Sequence, residues 1–157
     1  MRGRRNIKRP AVLLDSKYAD PLVTKFINRV MERGKKDTAE RLVYAALERL
    51  AKENNKEVPA LFAEIIEKAA PILEVRSRRV GGANYQVPVE VRPSRKVILV
   101  LRWIVTTARS RKGVPMSVAL YNEMKDVLGG TGSVMKTRED MHKMAEANRA
   151  FAHFARY

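Results

Sequence analysis

The stretch Glu74–Pro93, EVRSRRVGGANYQVPVEVRP, decides the fold. Leu73, Val75, Val87, Val89 and Val91 alternate with polar neighbours, which is the period of a strand. Gly81, Gly82, Ala83 and Asn84 separate the two alternating runs. Glycine and asparagine tolerate positive φ, so the chain reverses here. Arg76, Arg78 and Arg79 crowd the first run just before the reversal. Pro88 donates nothing to a ladder, so the second strand needs a free edge. The reading is a two-stranded ribbon over 72–91 whose tip is densely cationic. Cations packed this closely repel one another, and a polyanion relieves the repulsion.

Helical periodicity flanks the ribbon on both sides. Asp20-Pro21 opens a first helix as N-cap and first helical position. Leu22, Val23, Phe26, Ile27, Val30 and Met31 share its apolar face, and Gly34 supplies the stop. Asp37-Thr38-Ala39-Glu40 reads as a capping box for a second helix. Its inward face is Leu42, Val43, Ala46, Leu47 and Leu50, and Asn54-Asn55 ends it. Pro59 starts a third helix with Leu61, Phe62, Ile65, Ile66 and Ala69 inward, and Pro71 closes it.

Beyond the ribbon, Ser94 caps a fourth helix that is almost wholly apolar from Val97 to Val105. Its β-branched content also permits a strand, but no turn signal interrupts 94–113, too long a run for one. Arg95, Arg102, Thr106 and Arg109 fall on one narrow face of that helix. Pro115 begins a fifth helix, and Gly129, Gly130 and Gly132 read as a flexible break. Thr137 and Asp140 form a second capping box, and the last helix runs through Met141, Met144, Ala145 and Asn148 toward Phe151 and Phe154. The expected fold is mainly α: six bundled helices, an antiparallel β-ribbon between the third and fourth, and a disordered basic N-terminal arm over 1–12.

The chain has 157 residues, a length suited to one domain over 1–157. Thirty-two Lys and Arg against seventeen Asp and Glu give a net charge of +15. There is no cysteine, which excludes a disulfide framework and a cysteine zinc site. His142 and His153 have no metal-ligand companions and no nucleophile beside them, so neither metal nor catalytic residue is expected. Gly81-Gly82 and Gly129-Gly130 do not lead into the Gly-Lys-Ser/Thr of a phosphate loop. No apolar run reaches transmembrane length and no signal-peptide core follows the basic start, so a soluble intracellular chain is expected. The helices' apolar faces are needed to cover one another, which sets a membrane-surface role aside.

Four basic groups remain: the arm (Arg2, Arg4, Arg5, Lys8, Arg9), Lys35-Lys36, the ribbon arginines with the Arg95 stripe, and Arg109, Arg111 and Lys112. One such group is usually a solvated face, whereas four on a small domain point to a shared nucleic-acid surface. Tyr85, just past the reversal, either stacks on an unpaired base or packs along arginine stems. Trp103 reads as core. A DNA regulator would need an isolated recognition helix, which is not evident. An RNA-modifying enzyme would need a cofactor motif or catalytic cluster, and neither appears.

RRVGGANYQVP followed by VEVRP, MAEANRAFAH from Met144 to His153, DPLVTKFINRVMERGKK from Asp20 to Lys36, and LRW at Leu101–Trp103 together resemble the bacterial-type small-subunit ribosomal protein seven family. The resemblance covers essentially the whole chain. It implies a structural protein that binds the 3′ major domain of 16S-type rRNA, nucleates assembly of the head and lies near the exit-site tRNA. Other head and platform proteins are its implied neighbours, and no small-molecule substrate or cofactor is implied. Carried onto this chain, rRNA contacts are expected at Arg2, Arg4, Arg5, Lys8, Arg9, Lys35, Lys36, Arg76, Arg78, Arg79, Arg92, Arg95, Arg102, Arg109 and Arg111. The tRNA side is expected at Gly81, Gly82, Ala83, Asn84, Tyr85 and Arg149. A cytoplasmic ribosome is the expected location, with an organellar one left open.

Overall fold

The computed structural model describes residues 14–156. The arm, with Arg2, Arg4, Arg5, Lys8 and Arg9, lies outside the described residues. The elements are α1 (Pro21–Val30), α2 (Lys36–Asn54), α3 (Val58–Ala69), β1 (Leu73–Val80), β2 (Ala83–Glu90), α4 (Pro93–Ser110), α5 (Met116–Leu128) and α6 (Gly132–Ala147). A terminal 3-10 helix, Arg149–Arg156, follows. The chain is mainly helical with an antiparallel ribbon between the third and fourth helices, as the sequence predicts.

Apolar periodicity explains the core. Phe26, Ile27, Leu47, Leu50, Leu61, Phe62, Ile65, Ile104, Leu120 and Met124 are fully buried and belong to one contiguous cluster. Trp103 joins it, as expected of its place in an apolar run. α5 packs on α2, α3, α4 and α6, and so acts as the hub of the bundle. Closing the N-terminal side is the buried Asp15. Its carboxylate accepts from the Tyr18 N–H at 2.8 Å, the Asp20 N–H at 3.1 Å and the Tyr44 hydroxyl at 3.3 Å. Burial raises the Asp15 pKa, but these hydrogen bonds outweigh it and hold the carboxyl below its ordinary range.

Helix ends are where sequence and structure part. Asp20 does cap α1, its Oδ1 accepting from the Leu22 and Val23 N–H groups. That helix ends at Val30, however, and Gly34 lies beyond it in a turn with Arg33, both at positive φ. The turn delivers the chain to Lys36 already helical, with Lys35 as N-cap and no side-chain cap. Asp37 therefore sits inside the first turn, where its charge favours the helix dipole, and the expected capping box does not form. Ser94 likewise falls inside α4, whose N-cap is Arg92. α6 begins at Gly132, so Thr137 is internal, and its hydroxyl donates to the Ser133 carbonyl at 2.8 Å. The tract Gly129–Gly132 is a hydrogen-bonded stop rather than a flexible break. Gly130, at φ 72°, donates to the Val127 carbonyl, and Thr131 donates to that of Asp126. That pair of bonds is a Schellman motif.

The last helix is shorter than expected. It ends at Ala147, and the Asn148 side chain donates back to the Met144 carbonyl at 2.8 Å. The 3-10 helix that carries Phe151 and Phe154 then packs against β2.

Candidate nucleic-acid interface

The ribbon reverses through Gly81-Gly82 alone. Both residues have positive φ, 57° and 91°, and Val80 pairs directly with Ala83. Two left-handed central residues define the tight hairpin turn whose twist matches the strands. Ala83 and Asn84 thus belong to β2 rather than to the turn.

Register then assigns the side chains. Arg76 faces Val87 across the ladder, Arg78 faces Tyr85, and Arg79 faces Asn84. Directly paired residues share a face, so Arg76 and Arg78 lie on one face with Val87, Val89 and Tyr85. Arg79 lies on the other face with Leu73, Val75 and Asn84. Apolar residues therefore occur on both faces, Val87 and Val89 on one and Leu73 and Val75 on the other, and the ribbon has no single apolar side.

Tyr85, paired across the ladder with Arg78, has aromatic neighbours that neither expectation named. Its ring sits 5.2 Å from that of Phe151 and 5.1 Å from that of Phe154. Arg78 adds a hydrogen bond from Nη1 to the Phe154 carbonyl at 3.3 Å. The terminal 3-10 helix is thereby fastened to the ribbon. Arg149 opens that helix with its side chain exposed and 3.5 Å from Glu146.

At its root the ribbon meets α4. Glu74 is buried, and its Oε1 accepts from Arg76 Nε at 2.8 Å, while Oε2 accepts from Arg95 Nε at 3.2 Å. Burial raises the Glu74 pKa, but the two guanidiniums outweigh it and hold the carboxyl below its ordinary value. From Arg95 the exposed face of α4 carries Arg102, Thr106 and Arg109 along the helix. At 1.5 Å per residue these positions span about 21 Å. Arg29 of α1 joins Arg102 and Arg109 around an open depression of about 420 Å³. A second depression of about 410 Å³ brings Lys35 beside Arg109 and Arg111. Lys35, Arg29, Arg109, Arg102, Arg95 and Arg76 are therefore linked from the α1–α2 turn to the ribbon root, with Glu32 lining both depressions.

The cations on this track differ in what they already hold. Among the described residues Arg29, Lys35, Arg79, Arg92 and Arg102 make no ion pair. Arg109 is engaged, donating to the Val30 carbonyl at 3.2 Å and pairing with Glu32 at 2.9 Å. Arg111 is held from within by Glu123 and Asp126, at 2.6 and 2.9 Å. Lys36 lies 3.6 Å from Glu40. Sequence reasoning passed over Arg29 and its neighbour Lys25, which borders a shallow groove with Ile98 and Leu101. Their signal was an i,i+4 basic pair on α1, a helix that holds no acid of its own. Glu74 was also passed over, an acid inside a cationic ribbon.

His142 is not a site of chemistry. Its Nε2 accepts from the Ile72 N–H at 3.0 Å, and burial, then Arg138, push its pKa below the ordinary value. Among the described residues no group of three or more His, Cys, Asp or Glu could hold a metal. None of the described helices is long and apolar enough to cross a membrane.

Residues 1–149 match the model of the family described as ribosomal protein S7p/S5e. The chain belongs to this family. Proteins named small ribosomal subunit protein uS7 resemble it along nearly their whole length. That of Nautilia profundicola is 53% identical over 154 residues, covering 98% of this chain and 99% of the relative. That of Chloroflexus aurantiacus is 49% identical over 156 residues, 99% of both chains. That of Pseudomonas syringae pv. tomato is 49% identical over 154 residues, 98% of this chain and 99% of the relative. The family match extends through the ribbon, the α4 stripe and α6, and stops at the start of the terminal 3-10 helix.

Proposed function

We propose that the chain is a structural, non-enzymatic component of the small ribosomal subunit that binds 16S-type rRNA directly, in the cytoplasm. The observation that carries this reading is the row of Arg95, Arg102 and Arg109 on the exposed face of α4, joined by Arg29, Lys35 and the ribbon root. Lys and Arg contacts to phosphate supply affinity and set orientation. The partner is a folded RNA read by its shape, because the deep A-form major groove hides base edges from side chains. The bundle holds the backbone of these cations in fixed relation, so what remains to be ordered on binding is their side chains.

The finer assignment follows the family: the RNA is the 3′ major domain, and binding there nucleates assembly of the head. Exit-site tRNA then lies along Gly81, Gly82, Ala83, Asn84, Tyr85 and Arg149, with neighbouring head and platform proteins close by. The packing of the terminal 3-10 helix on β2, through Tyr85, Phe151 and Phe154, supports grouping that helix with the ribbon.

The test is equilibrium binding of the full chain to a transcript of the 3′ major domain, with duplex DNA as competitor. If about six to ten phosphates are engaged, affinity falls about 10³- to 10⁵-fold between about 50 and 200 mM salt. A shallow slope, or equal competition by DNA, refutes the reading. For the tRNA side, a photo-crosslinker at Asn84 should label tRNA in assembled subunits, and labelling of rRNA alone would reject that assignment.

A further inference from the structure

A carboxylate in the middle of a phosphate-binding surface works against it by charge. Glu74 is such a group, at 4% exposure, and it lies between β1 and the first turn of α4. Arg76 donates to it from both Nε and Nη2, and Arg95 donates from Nε. The guanidiniums themselves remain accessible, with their side chains 52% and 39% exposed. Nη1 of Arg76 and both terminal nitrogens of Arg95 hold no other partner among the described residues. A planar guanidinium fixed at one edge presents its remaining N–H groups in a set direction.

We propose that Glu74 is a positioning residue for RNA: its buried carboxylate holds Arg76 of the ribbon and Arg95 of the bundle side by side, poised to receive phosphate. Each arginine alone is a long, rotamer-rich chain that must be ordered when RNA arrives. Anchoring both beforehand moves that cost into folding. The same clamp fixes the ribbon's cations relative to the α4 track, so the two segments meet one RNA surface in register. Burying the carboxylate also keeps it out of contact with phosphate. This inference rests on the RNA-binding reading above.

Charge and position make opposite forecasts, which gives the test. Glu74→Gln removes a negative charge, so simple electrostatics forecasts tighter binding to the 3′ major domain transcript. Positioning forecasts weaker binding, by about 5- to 100-fold, the cost of ordering two long side chains on arrival. Glu74→Asp keeps the charge and withdraws the anchor by one methylene, so electrostatics forecasts no change and positioning forecasts a loss. Both variants should fold, since the half-exposed guanidiniums can turn to water, and circular dichroism checks this. In an Arg76→Ala/Arg95→Ala background, adding Glu74→Gln should change affinity no further. Equal or tighter binding by Glu74→Gln overturns the inference, as does an undiminished loss in the arginine-free background. If the wild-type chain binds and both variants bind as tightly as wild type, this inference alone fails; if wild type does not bind, both readings fall.

Discussion

Arg111 donates from Nε to Oε1 of the buried Glu123 at 2.6 Å, and this bond separates two kinds of arginine. Arg111 serves the interior, where it neutralises a carboxylate that is 1% exposed on the hub helix α5. Arg102, on the same stretch of surface, holds no acid among the described residues.

Arg111→Ala should therefore act on the fold. It leaves the Glu123 carboxylate buried without its cation, a change that typically costs about 3–5 kcal/mol. Arg111 is itself a third exposed, which moves the expected loss toward about 2–3 kcal/mol. Urea denaturation measures it, and a variant as stable as wild type would contradict the pairing.

Arg102→Ala should do the reverse. Stability should stay within about 0.5 kcal/mol, as for an exposed position outside any network. RNA affinity should drop, and the slope of log affinity against log salt should shrink by about one. An unchanged slope would place Arg102 off the RNA.

His142 gives the bundle a pH dependence. Its Nε2 can accept from the Ile72 N–H only while the ring is neutral, and its folded pKa lies below the ordinary 6.5. Unfolded chain therefore binds the proton first. The stabilisation is complete above the unfolded pKa of about 6.5 and is lost as pH falls toward the lower folded value. The expected loss is about 1 kcal/mol, the worth of one hydrogen bond. His142→Gln, which keeps an acceptor without the titration, should flatten this part of the profile in thermal melts.

Tyr85→Ala should free the terminal 3-10 helix without unfolding the bundle. The two aromatic contacts it removes are each worth about 0.5–1.5 kcal/mol beyond area. Amide exchange should accelerate over residues 149–154 and along β2 while α2 and α3 remain protected. Uniform acceleration across the chain would mean the latch is part of the core.

The architecture was legible wherever burial enforces a period. Phe26, Leu47, Ile65 and Ile104 each belong to an apolar run of helical spacing, because one side of each helix must leave water, and those helices stand where the pattern puts them. Helix ends were less legible, because a capping motif states only a local preference. Asp37 had the right neighbours for a cap, but the Arg33-Gly34 turn brought the chain in two residues earlier, with Lys35 as N-cap. In the candidate interface, the α4 stripe was readable because one helix carries it. Which arginines are engaged was not, since Glu123 and Arg111 are brought together by packing of α5 on α4. The partners of Tyr85 were out of reach for the same reason, lying more than sixty residues along the chain.

The two-residue turn has a mechanical consequence. It keeps the two strands paired without a break from Val80 back to Leu73, so Arg76 and Arg79 stand on opposite sides of a ribbon one chain thick. A flat partner could reach only one of them. A ribbon of this kind is a wedge: it suits a crevice, gains contacts from both walls as the crevice closes, and resists withdrawal once they have met.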